Sequence, residues 1–349
     1  MSLRSFFVFA AITLFLVVGA ILAVISRPVS VEIPKNRPLV FAGLDNKLNS
    51  VSEIKVITPS RTFTVNRTES GWGLKELNNF PVLFNKVKTV IVQLSQLRYL
   101  EPKTSDPERY SRLHLRSPET KGARSKRVIL LSKGGDILAQ GVVGKANRAL
   151  FGEGRSGTYM RFGDKKETWL IEGGLDLGNG PFDWTSKTIL DIKRKTVKRL
   201  VITSPNGKKV VIQRQKKDQR DFKLEGVPKG KSQRGQWETN DMAKVLDNLK
   251  LKDVSLAGDI QFPVKLYLGK IFTFDGLIIK TRAFKKGKRF WININADVIS
   301  GSSKTVKNRA RDIASALSQY AFEVDEKPGK KFTCEHVNLI EGAGINACS

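Results

Sequence analysis

Hydrophobic and polar positions alternate along much of the chain, and the same order of patterns occurs in two halves. Residues 54–66 alternate around a Pro59-Ser60 turn, which is typical of a β-hairpin. Residues 200–213 alternate around a Pro-Asn-Gly turn in the same way. We therefore expect each half to begin with an antiparallel hairpin.

A helical pattern follows each predicted hairpin. Residues 87–97 place Val, Ile and Leu on one face of a helix, and residues 242–249 do the same with Met, Val and Leu. Thr239 or Asn240 is the expected N-cap of the second helix, since side chains of these types accept hydrogen bonds from the first turn.

Each half then continues with further strands separated by glycine or lysine turns. A last helix is predicted over residues 305–322. The predicted strands are residues 128–131, 137–140, 158–162, 168–171, 277–284 and 289–295. These patterns predict an α+β fold of two tandem repeated units, each made of antiparallel β-hairpins with one or two helices.

An uncharged run from Ser5 to Ser26 precedes these units. At about 1.5 Å per residue, a helix of this length crosses a hydrocarbon core of about 30 Å. A cleaved signal peptide has a shorter apolar region and small residues before the cut, whereas Val18 and Ile21 fill the outer positions here. The run favours an uncleaved transmembrane helix over a cleaved signal.

Two signals disagree on the side of the membrane that holds the body. Arg4 precedes the run, whereas Arg27, Lys35 and Arg37 follow it, and by the positive-inside rule these charges would leave the body in the cytoplasm. A very short tail before a long polar body is instead typical of an exported, N-anchored protein. We predict a single-pass protein of the inner (cytoplasmic) membrane with its soluble body in the periplasm.

Cysteine usage favours the same side. The two cysteines, Cys334 and Cys348, are separated by glycines and other small residues and could close a disulfide in an oxidising compartment. Two unpaired thiols are the alternative. A metal site is not expected, because the two sulfurs and His336 lack an obvious fourth ligand and the CxxC spacing is absent.

These features divide the chain into five parts. Residues 1–27 form the anchor, 28–49 a juxtamembrane linker, 50–192 the first unit, 193–325 the second unit and 326–349 a C-terminal tail.

The chain carries a formal net charge of +28, concentrated in clusters. Such charge near a bilayer favours anionic lipid as a partner, and an anionic glycan or an acidic protein would serve equally well. Nucleic acid is the other usual partner of basic proteins, but it requires a cytosolic body. The candidate contacts of an anionic partner are Lys193, Arg194, Lys195, Lys198, Arg199, Lys285, Lys286, Lys288 and Arg289.

The residue inventory gives no recognisable catalytic site. His114 and His336 are the only histidines, and neither lies in an HExxH motif or beside a nucleophile. The glycine-rich stretches 141–144 and 152–157 lack the Lys-Ser/Thr of a phosphate-binding loop and are interpreted as strand turns or a mobile loop. We predict no catalytic residue, no cofactor and no metal, with an enzyme of unrecognised type as the alternative.

The order of several segments resembles the bacterial family catalogued as domain of unknown function 4340 (DUF4340), over most of residues 50–325. Phe222 and the basic insertion at 229–235 depart from the pattern of the first half. The segments that carry the resemblance are the hairpin at Ile54, Gly71–Leu74, the helix from Phe84 to Leu97, Asp106–Leu113, the strand at Gly157–Arg161 and Trp184–Ile192.

The resemblance implies an N-anchored envelope protein that works beside ATP-driven transport components similar to gliding-motility auxiliary subunits. It implies no active-site residues. We therefore expect a non-enzymatic accessory subunit of an ABC-type transport or envelope assembly system, with integral-membrane transport components as partners. A binding module for anionic lipid or glycan is the alternative, followed by nucleic-acid binding.

Overall fold

A computed structural model describes residues 12–19, 37–150, 155–163, 165–342 and 348 of the chain. Over these residues the protein is mixed α/β, with mostly antiparallel sheets and few helices. The helices are α1 (residues 12–19), α2 (Phe84–Gln96), α3 (Gln236–Met242), α4 (Lys304–Leu317) and α5 (Glu326–Phe332).

The predicted anchor is described only over α1, while its residues 5–11 and 20–26 lie outside the described ranges. Within those ranges, no helix combines the length and the apolar character needed to cross a membrane.

The first sheet has nine strands, all antiparallel to their neighbours, in the order β4-β3-β2-β1-β6-β7-β8-β9-β5. Its strands are β1 (Val51–Ile57), β2 (Thr62–Thr68), β3 (Gly71–Leu74), β4 (Phe80–Pro81), β5 (Arg98–Pro102), β6 (Lys126–Ser132), β7 (Ile137–Leu150), β8 (Arg155–Arg161) and β9 (Thr168–Glu172).

The second sheet has eight antiparallel strands in the order β13-β12-β11-β16-β17-β18-β19-β15, and β10 pairs separately with β14. The strands of this half are β10 (Thr188–Leu190), β11 (Val197–Thr203), β12 (Lys209–Gln213), β13 (Lys223–Leu224), β14 (Leu249–Lys250), β15 (Asp253–Leu256), β16 (Tyr267–Thr273), β17 (Leu277–Lys286), β18 (Arg289–Val298) and β19 (Tyr320–Val324).

Strands with the same place in the chain order occupy the same place in the two sheets. In each sheet the opening hairpin, β1–β2 or β11–β12, joins the other strands through β6 or β16. The strand that follows the helix, β5 or β15, lies at the far edge beside the last strand, β9 or β19. The strand β4 has no counterpart in the second sheet.

Alternating burial explains why the hairpins form where the pattern predicted them. In the first hairpin, Ile54 faces Val65 and Val56 faces Phe63, and all four side chains are buried in the first core. Burying each of these side chains contributes about 1.5–3 kcal/mol, so a register shift of one residue is strongly disfavoured. The helix α2 covers this face with Val87, Val90, Ile91 and Leu94.

The helix predicted around residues 242–249 is shorter and lies earlier in the chain. It is α3, which begins after Gly235, so the prediction of Thr239 or Asn240 as its N-cap is wrong. Val245 and Leu246 are buried as expected, but they lie in a series of turns after the helix. Here the apolar spacing correctly predicted that the two side chains are buried, but it did not predict the backbone conformation.

The helix predicted over residues 305–322 is too long. Its helical part is α4, whose N-cap Ser303 accepts a hydrogen bond from the Val306 N–H at 3.4 Å. The predicted end instead forms β19, in which all five residues are buried between β18 and β15. Tyr320 and Phe322 project onto the same face as the second core.

The described parts of the predicted linker and tail pack against the two units. Leu44 is buried in the first core, and Leu39 forms an isolated bridge with Arg98 at the edge of the first sheet. In the tail, Phe332 and Leu339 are buried in the second core.

The two units touch through the turn between β3 and β4. The Phe80 and Tyr320 rings meet edge to face at 4.9 Å, and the Tyr320 hydroxyl donates to the Asn78 carbonyl at 3.2 Å. Asn78 also donates from its amide to Gln319 Oε1 at 2.5 Å. The first unit therefore contributes side chains to the edge of the second core.

Candidate functional site

A buried arginine organises the first of the predicted basic clusters. Arg214 follows β12 on the core side of the strand, in line with Val210 and Ile212, and is 5% exposed. Its guanidinium lies over the rings of Phe222 and Phe274, at 4.9 and 5.2 Å from their centroids. It donates to the backbone carbonyls of Val197, Lys217, Gln219, Arg194 and Lys195, at 2.6–3.2 Å.

These bonds bring two sequence clusters onto one surface. The segment before β11 and the loop after β12 are both fixed to Arg214, so their side chains project around it. Burial and then the positive charge of Arg194 lower the pKa of Arg214. We call the resulting surface the basic platform: Arg194, Lys195, Lys198, Lys216, Lys217 and Arg220.

Two of the predicted contacts beside the platform are already engaged by acids. Lys193 bonds to Asp247 at 2.9 Å and Asp191 at 3.0 Å, and these bonds raise its pKa. Arg199 lies 3.5 Å from Glu225. Their charges are locally balanced, and the platform residues are the better candidates for an external anion.

The second predicted cluster forms the turn between β17 and β18. Lys285 lies over the Phe290 ring at 5.2 Å, and Arg289 is 3.5 Å from the buried Glu323. Lys286 and Lys288 are exposed on either side of Gly287, whose φ of 60° suits glycine.

The structure does not bring the two clusters together. Arg199 on β11 pairs with Phe272 on β16, and Phe272 pairs in turn with Ile278 on β17. Lys286 lies eight residues beyond Ile278 along β17, or about 26 Å at about 3.3 Å per residue. The clusters therefore occupy opposite ends of the second sheet and would contact different parts of a partner.

Cys334 and Cys348 form a disulfide, with their Cα atoms 5.3 Å apart. Both residues are buried in the second core, where Cys334 follows α5. The bond joins Cys348 to Cys334 within the second core.

A cleft that the sequence did not suggest lies at the edge of the first sheet and has a volume of about 400 Å³. Its aromatic wall consists of Tyr99, Phe162 and Trp169, with the Tyr99 ring at 4.8 Å from Trp169 and 5.6 Å from Phe162. Arg37, which is bonded to Glu172, and Glu167 lie at its rim. The strand pattern around Trp169 predicts its place in the sheet but does not show which ring edge faces a cleft.

The histidines have separate surroundings. His114 has a left-handed backbone (φ 56°), and burial followed by the charges of Arg124 and Lys145 lowers its pKa. His336 Nε2 lies 2.8 Å from the Glu225 carbonyl. Over the described residues, no group of three or more His, Cys, Asp or Glu side chains is arranged to hold a metal ion.

These observations define a basic protein with two antiparallel sheets of matching strand order, a disulfide in the second core and a cationic platform at one end of the second sheet. The chain belongs to the family described as "Domain of unknown function (DUF4340)", whose family model matches residues 72–266, more than half of the chain. The predicted family is confirmed, over a shorter stretch than the predicted 50–325.

No curated protein and no solved structure matches the chain.

Proposed function

We propose that the protein is a non-enzymatic envelope protein, tethered to the inner membrane by its N-terminal apolar run, with its body in the periplasm. It would act as an accessory subunit of an ABC-type transport or envelope assembly system. The Cys334–Cys348 disulfide is the observation that carries the location, because disulfides persist in oxidising compartments and are rare in the cytosol. The anchor rests on the sequence of residues 5–26.

The sheets supply surfaces suited to a protein partner. Helices cover one face of each sheet, whereas the opposite face of the second sheet exposes Lys270, Lys280 and Arg282 along neighbouring strands. Lys270 and Lys280 lie directly opposite each other, and Lys280 is paired with Asp297 at 2.6 Å. Lys270 and Arg282 would therefore be the main contacts of an acidic partner at this face.

Purification of the tagged full chain from gently solubilised membranes tests the accessory role. We expect an ABC-type permease or ATPase chain to copurify, identified by mass spectrometry. A matched control replaces residues 1–27 with a cleavable signal, which should release the body and reduce recovery of the partner. Repeated recovery of the full chain without any transport component would contradict the proposal.

The basic platform favours a second candidate function, the binding of anionic lipid or glycan. Each well-placed cation contributes about 1 kcal/mol near an anionic surface. Replacing Lys195, Lys198, Lys216 and Lys217 by Gln should weaken binding to phosphatidylglycerol vesicles by at least about tenfold.

The control variant replaces Lys88, Lys121, Lys133 and Lys307, which are exposed lysines elsewhere, and removes the same charge. It should bind the vesicles nearly as well as the wild type. Equal weakening in both variants would show that net charge acts without a platform.

A further inference from the structure

The segment between β5 and β6 crosses the outer face of the first sheet, opposite the face covered by α2. It contains a 3-10 helix, Pro107–Leu113, and packs Tyr110 and Leu115 against Val142 in a small separate core. The Tyr110 hydroxyl donates to the Lys166 carbonyl at 2.5 Å. The segment is therefore fixed on the sheet rather than loosely attached.

A pocket of about 200 Å³ lies where this segment turns back. The buried Ser125 donates to the Arg116 carbonyl and holds the two sides of the turn together. The volume is small beside pockets for drug-sized ligands and suits a single tetrahedral anion. The pocket is lined by Ser111, His114, Arg116, Gly122, Ala123 and Arg124.

The pocket collects positive charge that nearby acids do not balance. Over the described residues, no ion pair includes Arg116, Arg124 or Lys145. Glu119, the acid nearest to Arg116 along the chain, is engaged elsewhere. Both terminal nitrogens of Arg127 donate hydrogen bonds to the Glu119 carboxylate, at 2.8 and 3.4 Å.

His114 adds a ring to this cluster from a constrained backbone. A non-glycine residue at φ 56° is uncommon, and such conformations concentrate at binding sites. His114, Arg116 and Arg124 line the same small pocket, so their polar groups border one space.

We propose that this pocket binds a phosphate-type oxyanion, with the guanidinium groups of Arg116 and Arg124 as the main ligands and the Ser111 hydroxyl and His114 ring beside them. Guanidinium groups match phosphate oxygens in geometry and form charge-assisted hydrogen bonds with them. The anion is either free phosphate or the phosphate of a lipid headgroup. The pocket would bind it whether or not the chain serves a transporter.

Calorimetric titration of the full chain in a neutral detergent with inorganic phosphate tests the site. We expect saturable binding by the wild type and a loss of at least about tenfold in the Arg116→Gln/Arg124→Gln variant. The matched control is Arg112→Gln/Lys121→Gln, which removes two exposed cations from the same segment that do not line the pocket. It should bind phosphate within about twofold of the wild type.

Absence of saturable phosphate binding in the wild type would overturn the proposal, and so would an equal loss in both variants. Flotation with phosphatidic acid and phosphatidylcholine vesicles distinguishes the sources. If only the Arg116/Arg124 variant fails to bind the phosphatidic acid vesicles, the pocket binds a lipid headgroup. If the wild type binds phosphate and that variant still floats with the phosphatidic acid vesicles as the wild type does, the pocket binds free phosphate. The basic platform is intact in every variant, so failure here is separate from failure of the platform.

Discussion

At the scale of single residues, Arg214 decides where much of the surface charge lies. Its five backbone acceptors belong to two segments that no sequence motif connects. A sequence signal was available, since Arg214 continues the inward positions of β12, where a charged residue needs internal partners. Pattern reasoning identified the basic segments, but it could not identify the residue that gathers them.

Replacing Arg214 by Met should destabilise the protein by about 2–4 kcal/mol, because the buried carbonyl of Val197 and four partly buried carbonyls lose their donor. Arg214→Lys should recover only part of the lost stability, since the lysine ammonium lacks the planar fork with which the guanidinium reaches both segments. Urea unfolding measures the change, with Arg220→Met, at an exposed platform position, as the control. A loss in Arg214→Met no larger than in the control would contradict the assigned role.

A buried ion pair fastens α5 to α3. Lys331 Nζ lies 2.8 Å from the Asp241 carboxylate and donates to the Asp241 carbonyl at 2.9 Å, and both residues are 5% exposed. Burial opposes ionisation of Asp241, but the Lys331 bond and the charges of Lys331, Lys327 and Lys244 outweigh it and lower its pKa. The pair therefore makes stability depend on pH.

Asp241→Asn should cost about 3 kcal/mol at neutral pH, because it leaves the Lys331 charge buried without its partner. The folded-state pKa of Asp241 lies below its ordinary value of 3.8. Its stabilisation is therefore complete above that value and is lost as pH falls through the folded-state pKa.

Urea unfolding from pH 7 downwards should show the gap between wild type and Asp241→Asn closing in acid. Asp297→Asn breaks an exposed pair with Lys280 and should cost no more than about 1 kcal/mol. A gap that is constant with pH would contradict the account.

At the scale of elements, the sequence predicted best where a pattern is local. Both hairpins and α2 follow from alternation and helical spacing over a few residues. The predicted ends of α3 and α4 failed, since apolar spacing records burial and not the backbone conformation. The pairing of β5 with β9 joins residues far apart in the chain, and no local pattern contains it.

The glycine stretch in β7 shows how an element can depend on its neighbour. A Cβ at Gly144 would lie 2.3 Å from the Leu113 carbonyl oxygen and 2.9 Å from Leu115. Gly144 was predicted to lie in a strand turn or a mobile loop. It lies instead within β7, where the segment between β5 and β6 packs directly on the strand.

Gly144→Ala should therefore destabilise the protein by about 1–3 kcal/mol, because the clash involves backbone and cannot be relieved by a rotamer change. Gly134→Ala is the control, since its nearest new contact would be an ordinary 3.5 Å. Thermal unfolding separates the two. Equal stability of both variants would show that the crossing segment does not press on β7.

At the scale of the whole molecule, the shared strand order is the most informative feature. In each unit, the connection from the far edge strand to the middle of the sheet crosses the outer face and forms a small core there. The hairpin, the helix, the edge strand and the crossing recur in the same order in the two units. The tandem repeat stays a prediction.

The contact of Phe80 with Tyr320 should couple the two units. We expect the wild type to unfold in one cooperative transition and Phe80→Ala to broaden it or split it in two. The control is Phe84→Ala, which removes a ring that is 62% exposed. Two separate transitions in the wild type, measured by urea titration with circular dichroism, would mean that the units fold independently.

The central claim is that the body resides in an oxidising compartment as a membrane-tethered protein. The most direct test is thiol trapping in cells quenched with acid, followed by denaturation and a maleimide reagent of large mass, in the membrane fraction. Denaturation exposes the two buried cysteines. The account predicts no added mass before reduction and two added reagents after it, with none at any stage in Cys334→Ser/Cys348→Ser. Two reagents on the unreduced protein would place the body in a reducing compartment and contradict the account.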